Sequence, residues 1–360
     1  MIRVATTLSL LLCILAAGGC ATQSAEDMPR QVLVPLVYVT DRSLDDDSRP
    51  KRYYGGDRGE LQTGMATIAI ATRRDHATPF ADWQRWKPRL DGSRKRDELL
   101  SVMPARGTDL DRIVAEYASL SGTRSALLYV HGFRRRFDTS AVNLAKLVYQ
   151  VSPDAVPILY SWPSTGNVFK YKGDVRNLEW SGGTLESLLA QLMDAPEIET
   201  IHVIAHSLGS FALLEAIASI AERAPEAVRT SFGQVLLVSP DIARPRFEQV
   251  YLPVIRASGL NVTIYAAEND VPLQTSRRVN KAERVGDAKR QVPLYPGTET
   301  VLVSDVVSIL NSHDAHLRVV EVQTDIGYLI RDGLAADRRP TLERIEADGG
   351  VYWRVKSGQP

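Results

Sequence analysis

Seven short runs along the chain are almost continuously apolar: 32–39, 66–71, 126–130, 156–160, 201–205, 234–239 and 261–266. A strand with one face in water alternates apolar and polar residues, so runs without that alternation fit strands buried on both faces, as in a largely parallel sheet covered by helices. From residue 125 onward the runs alternate with stretches of helical periodicity at 138–150, 182–194, 210–224 and 246–257. Strand and helix in alternation predict an α/β architecture, a mostly parallel central sheet with helices on both faces. The two N-terminal runs flank a turn-rich stretch, YYGGDRG at 53–59, which predicts an antiparallel N-terminal edge on the same sheet. That stretch lacks the GxGxxG spacing and strand-to-helix setting of a phosphate loop.

The pattern reads as one domain over 32–335. Within it, 72–124 is a charged covering segment containing Trp83 and Trp86, and 336–360 is an extension whose VYWRV predicts a short added strand.

Composition narrows the partners. With 43 Lys+Arg against 43 Asp+Glu the net charge is zero, which provides no long-range field for nucleic acid. Both cysteines, Cys13 and Cys20, precede the apolar runs, so the domain folds without a disulfide. Residues 1–19 carry Arg3, an apolar stretch from Leu8 to Leu15 and small residues up to Cys20, the layout of an export signal too short to span a bilayer. AGGC followed by ATQSAEDMPR resembles a bacterial lipoprotein box, with Ala17 where Leu is usual. The resemblance implies that Cys20 is lipidated and that 20–31 is a tether. Acyl chains would then hold the protein on the cell envelope, at the outer membrane since Ala21 is no retention signal; plain secretion is the alternative.

The chemistry centres on IAHSLGS at 204–210, between a buried strand and an apolar helix. A serine on such a strand-turn-helix junction is a nucleophile elbow, where close packing requires small residues two before and two after it. Ala205 and Gly209 meet that requirement around Ser207. A serine hydroxyl needs a base to take its proton and an acid to orient the base. Of six histidines, His206 adjoins the nucleophile, His202 lies within a strand, His131 belongs to another motif and His76 precedes the repeating part. His313 and His316, after the last apolar run, remain as base candidates. Chain order Ser, acid, His favours Asp270 at the end of the strand 261–267, with Glu268 and Asp241 as alternatives. LYVHGF at 128–133 ends a strand in His131–Gly132; the backbone N–H groups of Phe133 and Leu208 are the expected oxyanion donors, and Gly132 allows close approach. The following Arg134, Arg135 and Arg136 are either solvated or a receptor for an anionic substrate group. Trp162, Phe169, Tyr171 and Trp180 are candidates for pocket walls or for packing beneath it. As a metal pair, His313 and His316 lack a third ligand at a sensible spacing, and the constellation calls for no cofactor.

VYVTDR at 37–42, the glycine-rich stretch 54–59, LYVHGF with Phe137, LYSWPSTG at 159–166, YKGDV at 171–175, AHSLGS, LLVSPDI at 236–242, and a final serine-then-histidine together resemble a bacterial family of α/β hydrolases, esterase/lipase-like and of unknown function. The resemblance spans roughly 35–330. It implies a serine-hydrolase triad with Asp270 at the acid position, and its spacing from Ser304 selects His313 over His316. Arg134 to Arg136 depart from the Asn frequent after His-Gly-aromatic in that family, and Ser312 stands where Gly is common. The expected activity is hydrolysis of an ester or thioester through an acyl-enzyme, with acyl transfer or a non-catalytic envelope role on the same fold as alternatives.

Overall fold

The computed structural model describes residues 30–45, 49–72, 97–105, 109–152, 154–166, 170–308 and 312–358. The expected signal, Cys20, the tether up to residue 29, His76, Trp83, Trp86 and Phe169 lie outside them, while the last two tether residues, 30 and 31, open β1.

Eleven strands form one sheet in the order β10-β11-β9-β8-β7-β6-β4-β5-β1-β2-β3. From β1 (Arg30–Leu44) through β5 (Val156–Ser161), β4 (Ser125–Val130), β6 (Thr200–His206), β7 (Phe232–Val238), β8 (Asn261–Ala266) and β9 (Thr298–Leu302), neighbours pair in parallel. Alternate side chains enter two separate cores. Val37, Leu128, Val203 and Leu237 face one; Leu36, Leu127, Ile204 and Leu236 face the other. Both cores are lined by buried apolar side chains, so neither face of these strands needs polar residues, which is why the sequence shows unbroken apolar runs. Helices α4 (Gly182–Asp194) and α5 (Leu208–Arg223) cover the first face with Leu185, Leu188, Leu189, Leu213 and Ile217. On the second, α2 (Phe137–Val151) and α9 (Val320–Ile330) contribute Leu144, Leu147, Val322 and Ile326. The fold is that of an α/β hydrolase, with antiparallel strands at its N-terminal edge.

Several elements differ from the sequence-based expectation. The glycine-rich stretch is not the turn: it opens β2 (Tyr54–Thr72), which runs antiparallel to β1. Its glycines serve close approach instead, since a Cβ on Gly59 would meet the Arg42 carbonyl oxygen at 2.6 Å and one on Gly56 the Thr165 Cα at 3.0 Å. Part of the expected covering segment is sheet and helix, with β3 (Glu98–Pro104) pairing with β2 and α1 (Leu110–Ser121) following it. Helix α3 (Tyr171–Trp180) precedes α4, and α6 (Pro225–Ser231) precedes β7. The helix expected at 246–257 is α7 (244–258), interrupted by a π turn at Phe247–Tyr251. At the far edge the chain adds a hairpin, β10 (Leu342–Ala347) and β11 (Gly350–Val355), with β11 parallel to β9. Buried Arg339 secures this edge through Asp325 at 2.9 Å and Glu299 at 2.7 Å. Among the described residues no helix is long and apolar enough to cross a membrane.

Candidate active site

Ser207 sits between β6 and α5, at the carboxyl end of a central strand. Its backbone is at φ 53°, ψ −120°, a region that non-glycine residues avoid. Such a conformation persists only where the surroundings fix it. Here Ser207 N–H donates to the Val238 carbonyl at 2.9 Å, and its own carbonyl accepts from Asp241 N at 3.2 Å and Ser210 N at 3.1 Å. The loop after β7, the SPDI motif, therefore clasps the turn. Small residues are required for the reason the elbow predicts: a Cβ on Gly209 would lie 2.6 Å from the carbonyl oxygens of Val130 and His131. Ala205 is fully buried.

The loop after β4 abuts this turn so closely that a Cβ on Gly132 would fall 2.8 Å from both Ser207 Cβ and His206 Nδ1. Phe133 thus lies beside the serine. The described residues offer its N–H no acceptor. Leu208 is the first residue of α5, so its N–H is one of the helix's amides without an intrahelical acceptor.

Asp270 is fully buried and caps α8 (Val271–Asn280), its Oδ1 accepting from Leu273 N at 3.0 Å. His313 Nδ1 lies 3.0 Å from Asp270 Oδ1 and 2.9 Å from Oδ2, which assigns the ring proton to Nδ1 and leaves Nε2 as the free base. Burial by itself would lower the His313 pKa; the charge and hydrogen bond of Asp270 outweigh it and hold the pKa above the ordinary imidazole value. The ring packs against His206, the neighbour of Ser207, with centroids 4.7 Å apart. His206, kept neutral by burial and by repulsion from His313 and His316, holds the His313 carbonyl through Nε2 at 2.9 Å.

The alternatives fall elsewhere. His316 is fully buried against Tyr129 and His206, and burial pushes its pKa down to about 3, so it is a core residue. Glu268 is exposed. Asp241 is occupied by Tyr171 Oη at 2.9 Å, Ser276 Oγ at 2.7 Å and Arg284 at 3.2 Å. Among the described residues no three His, Cys, Asp or Glu side chains gather as metal ligands would.

Two candidate substrate contacts are corrected. Trp162 is fully buried; it stacks on His131 at 5.0 Å and donates to the His131 carbonyl at 2.8 Å, supporting the loop from beneath. Arg135 does not await an anion, because its guanidinium pairs with Asp314, the residue after His313, and straps the two loops together. Arg134 is exposed and left-handed at φ 61°, and Arg136 pairs with Asp138. Of the other aromatics, Tyr171 packs edge-on against Phe133 at 5.4 Å, whereas Trp180 lies outside beneath Arg58. Replacing Arg135 with Ala should lower activity on neutral and anionic esters alike and destabilise the fold by about 3 kcal/mol, since the mostly buried Asp314 would lose its closest cation and keep only the longer contacts to Arg318 and His206, each at 3.7 Å. Parallel assays on the two ester classes with a thermal melt check this; a loss confined to anionic esters would contradict it.

Residues missed by sequence reasoning include Arg42 and Asp174. Asp174 accepts from Ser164 Oγ at 2.5 Å, Thr165 N at 3.0 Å and Thr165 Oγ1 at 2.9 Å, fixing the loop after β5. Both lie in motifs that carried the resemblance, but as a lone Arg and a lone Asp they had no spacing to mark them.

Residues 109–314 match the model of a family described as "Alpha/beta hydrolase of unknown function (DUF900)". Among solved structures, a protein of Agrobacterium vitis S4 with a provisional hydrolase name aligns at 12% identity and TM-score 0.30, covering 80% of this chain and 98% of its own. The phospholipase PlaB from Legionella pneumophila aligns at 9% identity and TM-score 0.30, covering 65% and 68%. No curated protein matches significantly.

Proposed function

The chain belongs to the alpha/beta hydrolase family of unknown function (DUF900), and from that premise we propose that it is a serine hydrolase acting on an ester or thioester, with Ser207 as nucleophile, His313 as base and Asp270 as the orienting acid. The observation that carries this reading is the Asp270–His313 pair standing against the strained Ser207 turn. His313 Nε2 takes the Ser207 Oγ proton as Oγ bonds to the acyl carbon. The oxyanion is received by the N–H groups of Phe133 and Leu208. His313 then gives its proton to the leaving alkoxide or thiolate, which departs as alcohol or thiol and leaves the acyl-enzyme. Water repeats the sequence: His313 removes its proton, the hydroxyl adds to the acyl carbon, and Ser207 leaves with the proton returned. An acceptor alcohol in place of water would make the reaction acyl transfer by the same steps.

A fluorophosphonate probe tests the reading. Wild type should become labelled at Ser207, and a wild type that does not label would favour a non-catalytic role on this fold.

The sequence of residues 1–31 supports an envelope location, with Cys20 acylated and the domain tethered on the bilayer. Cys20→Ser should abolish metabolic labelling by a palmitate analogue and move the protein from the membrane pellet to the soluble fraction. Unchanged pelleting and labelling would refute the anchor.

A further inference from the structure

Arg42 ends the VYVTDR motif on β1 and is fully buried. A guanidinium in such a place is costly unless its hydrogen bonds are met. Among the described residues no carboxylate lies within ion-pair distance of it, yet all five N–H donors are used. Nε donates to Ser161 Oγ at 2.9 Å; Nη1 donates to the carbonyls of Gly55 at 2.9 Å and Ser164 at 3.1 Å; Nη2 donates to the Arg135 carbonyl at 2.7 Å and lies 3.2 Å from His131 Nε2. Two of these acceptors, His131 and Arg135, bracket Phe133. Burial lowers the Arg42 pKa to about 10, which leaves the charge in place at neutral pH.

We propose that Arg42 is a positioning residue that aims the Phe133 amide at the oxyanion by fixing the tautomer of His131; this rests on the serine-hydrolase reading. A guanidinium is a donor only, so His131 Nε2 faces it as an acceptor and the ring proton resides on Nδ1. Ser161 Oγ, accepting from Arg42 Nε, lies 3.3 Å from the same Nε2, so the one guanidinium holds both neighbours of that ring edge. Nδ1–H then donates to the Gly132 carbonyl at 2.9 Å. Gly132 C=O and Phe133 N–H share one planar trans peptide and point in opposite directions. Holding the carbonyl inward toward His131 therefore turns the amide outward. The Arg135 carbonyl, held by the same guanidinium, fixes the other end of the loop, and the Trp162 indole holds the His131 carbonyl. Lysine could not replace this arrangement, because a single ammonium presents three donors from one point where five diverge in a plane.

The test combines turnover with a direct reading of the tautomer. In ¹⁵N spectra of histidine-labelled protein, wild-type His131 should be protonated at Nδ1 and bare at Nε2. Arg42→Met should shift it toward the Nε2–H form and lower kcat for a p-nitrophenyl ester about 10²-fold, the scale of one lost oxyanion donor, with KM changed less than about threefold. Arg42→Lys should fall between the two. A folded Arg42→Met that keeps its kcat, or loses kcat with the tautomer unmoved, overturns the proposal. Should Arg42→Met not fold, His131 variants decide: His131→Asn keeps a donor near Nδ1 and should retain roughly tenfold more kcat than His131→Leu, the scale of one hydrogen bond; equal losses overturn it. The tautomer is read without turnover, so its indifference to Arg42 defeats this proposal whether or not the protein hydrolyses esters, whereas a wild type that takes no fluorophosphonate defeats the hydrolase reading.

Discussion

Ser207→Ala is expected to abolish fluorophosphonate labelling and to lower kcat on an activated ester by about 10⁴-fold or more, without loss of the folded state. The size follows from what the hydroxyl does: without it no acyl-enzyme forms, and His313 and the oxyanion donors can assist only a direct attack by water. The fold should be indifferent because Ser207 is held by its backbone, through Val238, Asp241 and Ser210, and Oγ contributes none of those bonds. A thermal melt beside the kinetic assay separates the two effects. Retention of more than about one per cent of the wild-type kcat would remove Ser207 from the nucleophile's role.

Asp270→Asn should lower kcat by about 10³- to 10⁴-fold while the protein remains folded. Asn keeps an oxygen able to cap Leu273 N, so the start of α8 survives the exchange. What changes is the face toward His313: an amide N–H in place of a carboxylate oxygen favours the wrong ring tautomer and leaves the imidazolium without its counter-charge. The pH profile gives an independent check. The base works unprotonated, so wild-type kcat/KM should rise with pH through the His313 pKa, which burial lowers but Asp270 raises to a net value above the usual imidazole range. In the variant the largest raising influence is gone, leaving burial opposed only by the more weakly acting Asp314 and Asp241, and the acid limb should move to lower pH. An unmoved limb would separate His313 from Asp270 in function. Stability carries the opposite sign: a folded-state pKa above the unfolded value of about 6.5 stabilises the fold below that value, and the contribution fades as pH rises through the folded pKa.

Much of this site was legible because parallel strands leave blunt traces. Doubly buried strands are continuous apolar runs, and the residues at their carboxyl ends are the ones a site can use, so Ser207, Asp270 and the His131–Gly132 pair stand out at strand ends. The choice between His313 and His316 needed the spacing drawn from family resemblance, since only two residues stand between them; in three dimensions the full burial of His316 separates them at once. Misreadings arose where one residue type serves two ends. Arginines beside an oxyanion loop suggest an anion site, but only a view of the distant Asp314 shows Arg135 to be occupied. A glycine-rich stretch suggests a turn, yet these glycines let β2 lie close to β1 and to the loop after β5. The edge strand β3 was faint because Leu99 alone of its residues is buried, so it leaves no continuous apolar run.

The outermost strand β10 bears on how separate molecules meet. Its Glu343, Arg344 and Glu346 are exposed, so a strand arriving from another copy would have to align its backbone against alternating charges. Parallel β9 and β11, richer in apolar residues, are shielded behind it. That border makes head-on joining of sheets unfavourable at this edge.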